Sequence, residues 1–119
     1  MTTPTNERRG APRAHADLPL RLSPDSGAQS ATLKDISTSG LCCRFGEPLT
    51  EMTMVQIQLE LPGAGAPCDL KGVIVRCDKV RGITPPTYEV AVYFTDLTAE
   101  TRTVIASFVE SQLQAQASR

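Results

Sequence analysis

Tryptophan is absent from this 119-residue chain, histidine occurs once, and the aromatic residues amount to two tyrosines and three phenylalanines. A barrel that binds single-stranded nucleic acid needs exposed aromatic platforms and a basic groove. The formal net charge of −1 gives the molecule no basic field. We therefore expect no nucleic-acid partner.

The sequence also lacks the residue sets of catalytic and metal sites. No Ser/His/Asp or Cys/His set accompanies the single histidine, His15. The four cysteines are Cys42, Cys43, Cys68 and Cys77, and no C-x-x-C spacing occurs. Adjacent cysteines in a strand-like run point to opposite faces, which is a poor arrangement for chelating one metal. We expect no enzyme, no metal and no cofactor, and reduced thiols in a cytosolic protein.

Long hydrophobic runs are missing as well. The longest apolar run lies around Val90–Phe94 and is too short to cross a bilayer. The polar N-terminus has no apolar stretch of the kind found in signal peptides. We therefore expect a cytoplasmic protein that does not bind membranes. Residues 1–7, rich in Thr, Pro and Asn, predict a disordered tail ahead of a single domain.

What the chain does contain is a series of short strand patterns. The alternation is clearest from Val55 to Leu61, where apolar residues take one face and Gln or Glu the other. Turn-forming Pro and Gly residues separate several of these runs. We predict strands near residues 18–22, 29–36, 41–45, 55–61, 68–80 and 87–95. Six short strands favour a small antiparallel barrel or sandwich, and closure into a barrel would remove exposed edges.

The periodicity changes near the C-terminus. Thr98 is a suitable helix N-cap, and Glu100 in the first turn suits the helix dipole. The apolar residues that follow recur at helical spacing: Val104, Ile105, Phe108, Val109 and Leu113. The opposite face lacks the Lys and Arg residues of a membrane-binding amphipathic helix. We predict a C-terminal helix that packs on the strands.

Two polar motifs stand out against this background. The first reads R-x-x-x-R, from Arg9 to Arg13, and is preceded by Arg8. Residues 1–16 contain three arginines against one glutamate, so an anionic ligand would be attracted to this segment. The Gly and Pro between the two motif arginines disfavour a helix and predict a loop-like arm. Taken alone, such a motif is usually a solvated charged stretch.

The second motif reads D-x-S-x-x-G, from Asp35 to Gly40, and lies between two predicted strands. Taken alone, it usually marks a hairpin turn, where Asp, Ser and Gly are favoured for local reasons. In this order and spacing, within a small β-pattern followed by a helix, the two motifs resemble the PilZ family of cyclic-di-GMP receptors. The resemblance extends from Glu7 to about Leu113. It implies a mainly all-β fold, a six-stranded antiparallel β-barrel with an N-terminal arginine-rich arm and a C-terminal helix, formed by residues 8–116.

The resemblance assigns ligand contacts to Arg9, Arg13, Asp35, Ser37 and Gly40. Cyclic-di-GMP carries phosphates and guanines, and arginine bonds bidentately to both and stacks on purine faces. Asp35 can accept from guanine N–H groups or orient an arginine, and the Ser37 hydroxyl can donate to a phosphate oxygen. Gly40 suits a turn with positive φ and lets a ligand approach the backbone. Ala91, where family members often carry Gly, would slightly alter the ligand-facing strand surface.

Arg8 adds a prediction about stoichiometry. In the family, an arginine at this place accompanies binding of two intercalated ligand molecules, so we predict two per protomer. The alternative is that Arg8 is an ordinary exposed charge.

The function that the resemblance implies is that of a non-enzymatic receptor for the bacterial second messenger cyclic-di-GMP. The arm would order over the ligand and relay the signal to a downstream protein that the sequence does not name. The alternative function is a ligand-independent PilZ-type adaptor that acts by protein–protein contacts in motility or pilus assembly. Such members typically lack one of the two motifs, and both are complete here.

Overall fold

The computed structural model describes residues 12–23, 27, 29–63 and 67–117. In this part of the chain, six strands precede one helix: β1 (Ala14–Ser23), β2 (Gln29–Ile36), β3 (Gly40–Phe45), β4 (Met54–Leu59), β5 (Cys68–Lys79), β6 (Tyr88–Phe94) and α1 (Ala99–Ala117). The predicted tail at residues 1–7 lies outside the described residues, as do two predicted ligand contacts, Arg8 and Arg9.

The strands form a closed antiparallel barrel. Their order is β1-β2-β3-β6-β5-β4, and the ring closes because β1 pairs with β4 as well as with β2. Closure satisfies backbone groups that would otherwise form exposed sheet edges. In this ring the β3–β6 pair lies on the opposite side of the barrel from the β1–β4 pair. The predicted six-stranded antiparallel barrel with a C-terminal helix is confirmed.

Inward-facing aliphatic residues fill the barrel. On β4, Val55, Ile57 and Leu59 are buried while Gln56 and Gln58 are exposed, which is the alternation predicted from the sequence. The same pattern on the other strands contributes the remainder of the core. Because the interior of a small barrel is occupied by its own side chains, a polar ligand has to bind on the outer face.

Strand β1 begins earlier than predicted, at Ala14 instead of Leu18. His15 pairs with Asp35, and the register then shifts before Leu18. A β-bulge of this kind interrupts the alternation of apolar and polar residues, so the pattern did not reveal the start of the strand. The earlier start places Arg13, the residue before β1, beside the end of β2.

Helix α1 begins directly after its predicted N-cap. Thr98 Oγ1 accepts a hydrogen bond from the Thr101 amide at 3.1 Å. Ile105, Phe108 and Val109 are buried in the core that the helix shares with the barrel, and the helix contacts β1. The predicted packing of the helix on the strands is therefore confirmed. No helix in the described part of the chain is long and apolar enough to cross a membrane.

Candidate ligand-binding site

The two polar motifs meet at an ion pair between Arg13 and Asp35. Arg13 Nε donates to Asp35 Oδ1 at 2.8 Å, and Arg13 Nη2 lies 2.6 Å from the same oxygen. Arg13 immediately precedes β1, and Asp35 lies opposite His15 of that strand, so strand pairing brings the motifs together. The side chains of the pair are 37% and 24% exposed. Asp35 thus orients an arginine, one of the two roles predicted for it, and the arginine still faces solvent.

Ser37 shapes the turn that follows β2. Its hydroxyl accepts a hydrogen bond from the Ser39 amide at 3.1 Å, and its amide donates to the Gly40 carbonyl at 2.9 Å. Arg13 Nη1 donates to the same hydroxyl over a longer distance of 3.4 Å. Ser37 is fully buried, so in this structure its hydroxyl has no surface from which to contact a phosphate.

Ser39 is a polar neighbour that sequence reasoning missed. Its hydroxyl lies 2.9 Å from the Ser37 hydroxyl, and the residue is only half-buried. A ligand can reach Ser39 more easily than Ser37. Both residues belong to the same motif, but only the folded turn shows which hydroxyl faces inward.

The structure explains the glycine at position 40 differently from the sequence. Its φ lies outside the positive range, so the expected positive-φ turn is wrong. Gly40 instead begins β3 and pairs with Tyr93 of β6. A Cβ atom at this position would lie 2.2 Å from the Val92 carbonyl oxygen. Glycine is therefore required because the backbone of β6 passes too closely for any side chain.

Small side chains form a shallow floor next to the ion pair, on the outer face of the barrel. Strand pairing places Asp35, Cys42, Ala91 and Arg76 in one row across β2, β3, β6 and β5. Residues directly opposite each other share a face, so the row has a charged residue at each end and two small residues between them. Cys43 belongs to the core instead, so the two adjacent cysteines point to opposite faces as predicted. Ala91, the departure from the family pattern, lies in the middle of this floor.

Charged groups surround the Cys42 thiol on this floor. Burial raises the pKa of Cys42, and the nearby carboxylates of Asp35 and Glu89 raise it further, while Arg76 and Arg13 act in the opposite direction. The thiol therefore stays neutral near pH 7. Guanidinium groups from both ends of the row thus act on one small, uncharged surface.

An apolar groove connects this region to the helix. A cavity of about 510 Å³ is lined by Pro12 from the arm, Thr38 from the motif turn, and Val109 and Leu113 from α1 among others. A displacement of the arm or the turn would therefore change the surroundings of α1. Within the described residues, no group of three or more His, Cys, Asp or Glu side chains could hold a metal ion.

These features define a class of protein: a small closed antiparallel barrel with a C-terminal helix and a polar site on its outer face, where Arg13 meets the end of β2 and the β2–β3 turn. The family model described as the PilZ domain matches residues 7–111. The chain belongs to the PilZ domain family, as the two motifs predicted. No match was found among curated proteins.

Solved structures share this fold. The PilZ domain of YcgR from Escherichia coli, with c-di-GMP, has a TM-score of 0.73 at 15% identity, covering 92% of this chain and 94% of that domain. The inhibitor of motility MotI/DgrA from Bacillus subtilis has a TM-score of 0.75 at 13% identity, covering 94% of this chain and 52% of its own. The K. pneumonia MrkH–c-di-GMP complex has a TM-score of 0.73 at 17% identity, covering 94% and 56%. The chain thus spans about half the length of MotI/DgrA and MrkH.

Proposed function

We propose that this protein is a receptor for cyclic-di-GMP. The observation that carries the proposal is the ion pair of Arg13 and Asp35, which joins the two family motifs on one exposed face of the barrel. An arginine held by a carboxylate is pre-oriented for a phosphate or a guanine edge, so it loses less side-chain freedom on binding. The c-di-GMP complexes of YcgR and MrkH, which have the same fold, support this choice of ligand.

The residues of the motifs take different parts in this proposal. Arg9 and Arg13 supply guanidinium groups, and Asp35 orients Arg13 or accepts from guanine. Ser37 holds the turn and the arginine in place from a buried position, and Gly40 lets β6 approach. We assign these tasks to one ligand-binding domain of residues 8–116.

The signal would be relayed through the arm. Ordering of the arginine arm over the ligand would alter the groove that Pro12 and Thr38 share with α1, and this changed surface would engage or release a downstream protein. The chemistry offered is binding, so we propose a receptor that is not an enzyme. The four cysteines are unpaired in the structure, as is usual in a reducing compartment, which supports a cytoplasmic location.

Isothermal titration calorimetry of the purified chain with cyclic-di-GMP tests the proposal. We expect binding at micromolar protein or below, and a loss of about tenfold or more in affinity for Arg9→Ala and Arg13→Ala, because each removes charge-assisted hydrogen bonds. Arg21→Ala is the matched control, since Arg21 is an exposed arginine on β1, on the far side of the barrel. A folded wild-type chain that does not bind would overturn the proposal and favour the adaptor alternative.

The same titration measures the stoichiometry that Arg8 predicts. We expect two cyclic-di-GMP molecules per protomer for the wild type and one for Arg8→Ala, because an additional guanidinium offers another face for guanine stacking. One molecule per protomer in both proteins would show that Arg8 is an ordinary exposed charge. That result would leave the receptor proposal intact.

A further inference from the structure

Two β-bulges flank the outer row of small residues that forms the site floor. On β2, the register with β3 shifts between Leu33 and Asp35, so Lys34 is the extra residue. On β5, the register with β6 shifts between Ile74 and Arg76, so Val75 is the extra residue. The central pair, β3 with β6, runs in uninterrupted register between them. Bulges are frequent next to functional sites because they re-aim a side chain.

Each bulge brings one charged side chain onto the floor. With regular pairing on β2, Lys34 would lie opposite Cys42, and Asp35 would turn to the inner face. With regular pairing on β5, Val75 would lie opposite Ala91, and Arg76 would turn inward. The shifts instead place Asp35 opposite Cys42 and Arg76 opposite Ala91. On β2 the shift puts Asp35 in the row in place of Lys34, and on β5 it puts Arg76 there in place of Val75. The β5 bulge therefore gives the row a charge that regular pairing would not supply.

We infer that Arg76 is a further ligand-binding residue, which holds the end of cyclic-di-GMP that is remote from Arg13. This inference rests on the receptor function proposed above. Asp35 and Arg76 are separated by three strand-to-strand steps, about 14 Å along the curved sheet at the usual spacing. Cys42 and Ala91 lie between them, and their small side chains leave the surface low enough for a flat ligand.

The surroundings of Arg76 favour this role. Its Nε lies 3.1 Å from Asp78 Oδ2, and the two side chains are 55% and 65% exposed. An ion pair this exposed contributes little to stability, and more than half of the arginine side chain stays open to solvent and to a ligand. Arg76 lies opposite Ala91 at one end of the row, and Arg13 is paired with Asp35 at the other end, so the floor has a cation at each end. Phosphate oxygens and the acceptor edge of guanine are the ligand groups that suit such a cation.

Calorimetric titration of Arg76→Ala and Arg76→Glu with cyclic-di-GMP tests the inference. We expect about a tenfold weaker affinity for Arg76→Ala and no measurable binding for Arg76→Glu. Arg21→Ala and Arg21→Glu make the same charge changes on β1 across the barrel and should bind like the wild type. Circular-dichroism melting should show all four variants folded, because both arginines are exposed.

The outcomes separate this inference from the proposed function. If the wild type fails to bind, the receptor proposal fails and the inference fails with it. If the wild type binds, Arg13→Ala weakens binding and Arg76→Ala does not, only the role of Arg76 is overturned. Equal losses in the Arg76 and Arg21 variants would also overturn it, because the effect would then follow net charge and not position.

Discussion

At the scale of single residues, glycine is required at position 40 for a steric reason, because β6 passes close to it, as well as for its place in the motif. Because a Cβ atom there would lie 2.2 Å from a backbone oxygen of β6, the strands would have to separate to admit alanine. We expect Gly40→Ala to lower the free energy of unfolding by roughly 1–3 kcal/mol, the usual range for overpacking. Urea unfolding followed by circular dichroism measures this change.

Gly46→Ala is the matched control for that experiment. Gly46 is exposed, and a Cβ atom built on it would have no neighbour within 4 Å. Its substitution should change the free energy of unfolding by no more than about 0.5 kcal/mol. Equal stability of the two variants would contradict the steric explanation. A ligand-binding defect in Gly40→Ala is informative only where the variant is still folded.

The residues of the motif could be predicted from the sequence, but their directions could not. Asp, Ser and Gly at these spacings indicated a turn with polar contacts, and Asp35 does orient an arginine. That Ser37 faces inward and Ser39 is accessible depends on how the turn leaves β2. A hydroxyl has the same chemistry in either direction, so the sequence does not show which of the two serines faces inward.

At the scale of elements, the predicted N-cap of α1 can be tested by its contribution to stability. Thr98 Oγ1 accepts from the Thr101 amide, which would otherwise lack an intrahelical partner. We expect Thr98→Ala to lower the free energy of unfolding by about 1 kcal/mol. Urea unfolding monitored by circular dichroism gives the value.

Thr103→Ala is the comparison within the same helix. Thr103 is exposed, and its hydroxyl donates to the Ala99 carbonyl at 3.0 Å, a bond within the helix that competes with regular backbone bonding. Alanine has the higher helix propensity, so this variant should be neutral or slightly more stable than the wild type. If both threonine variants lost the same stability, the N-cap would not be the cause.

The limits of most strands could be predicted from the sequence, but the register shifts at the bulges could not. The predicted limits of β2 agree with the structure, and β4 shows the expected alternation. The bulge on β5 left no sign in the sequence, because it is a property of pairing with β6. The sequence therefore assigns Arg76 no role in the site, and the structure is needed to place it on the same row as Asp35.

At the scale of the whole molecule, barrel closure separates the proposed site from the remainder of the surface. The row of the site crosses β2, β3, β6 and β5, whereas β1 and β4 meet on the opposite side. Arg13 reaches the row because it immediately precedes β1, whose bulged start pairs with the end of β2. Lys34, the extra residue of the β2 bulge, forms an ion pair with Asp17 of β1, so the bulged ends of these strands are also linked through side chains.

The core beneath the site makes the stability of the whole chain sensitive to alkaline pH. Burial raises the pKa of the Cys43 thiol to about 12, and burial also raises the pKa values of Cys42 and Cys68. An unfolded cysteine ionises near pH 8.5. Between these values the unfolded chain loses the Cys43 proton while the folded chain keeps it. Stability is therefore complete below about pH 8.5 and falls as the pH rises towards 12.

We expect the unfolding free energy of Cys43→Ala to fall less steeply with pH than that of the wild type. The difference in slope should be about 1.4 kcal/mol per pH unit above the unfolded pKa, the contribution of one thiol. Urea unfolding from pH 7.5 to pH 10.5 under reducing conditions measures the slope for both proteins. The variant will start from a lower stability because a buried side chain is truncated, so the slopes and not the absolute values are compared. Parallel slopes would mean that Cys43 ionises as readily in the folded chain as in the unfolded one, which its complete burial in the barrel argues against.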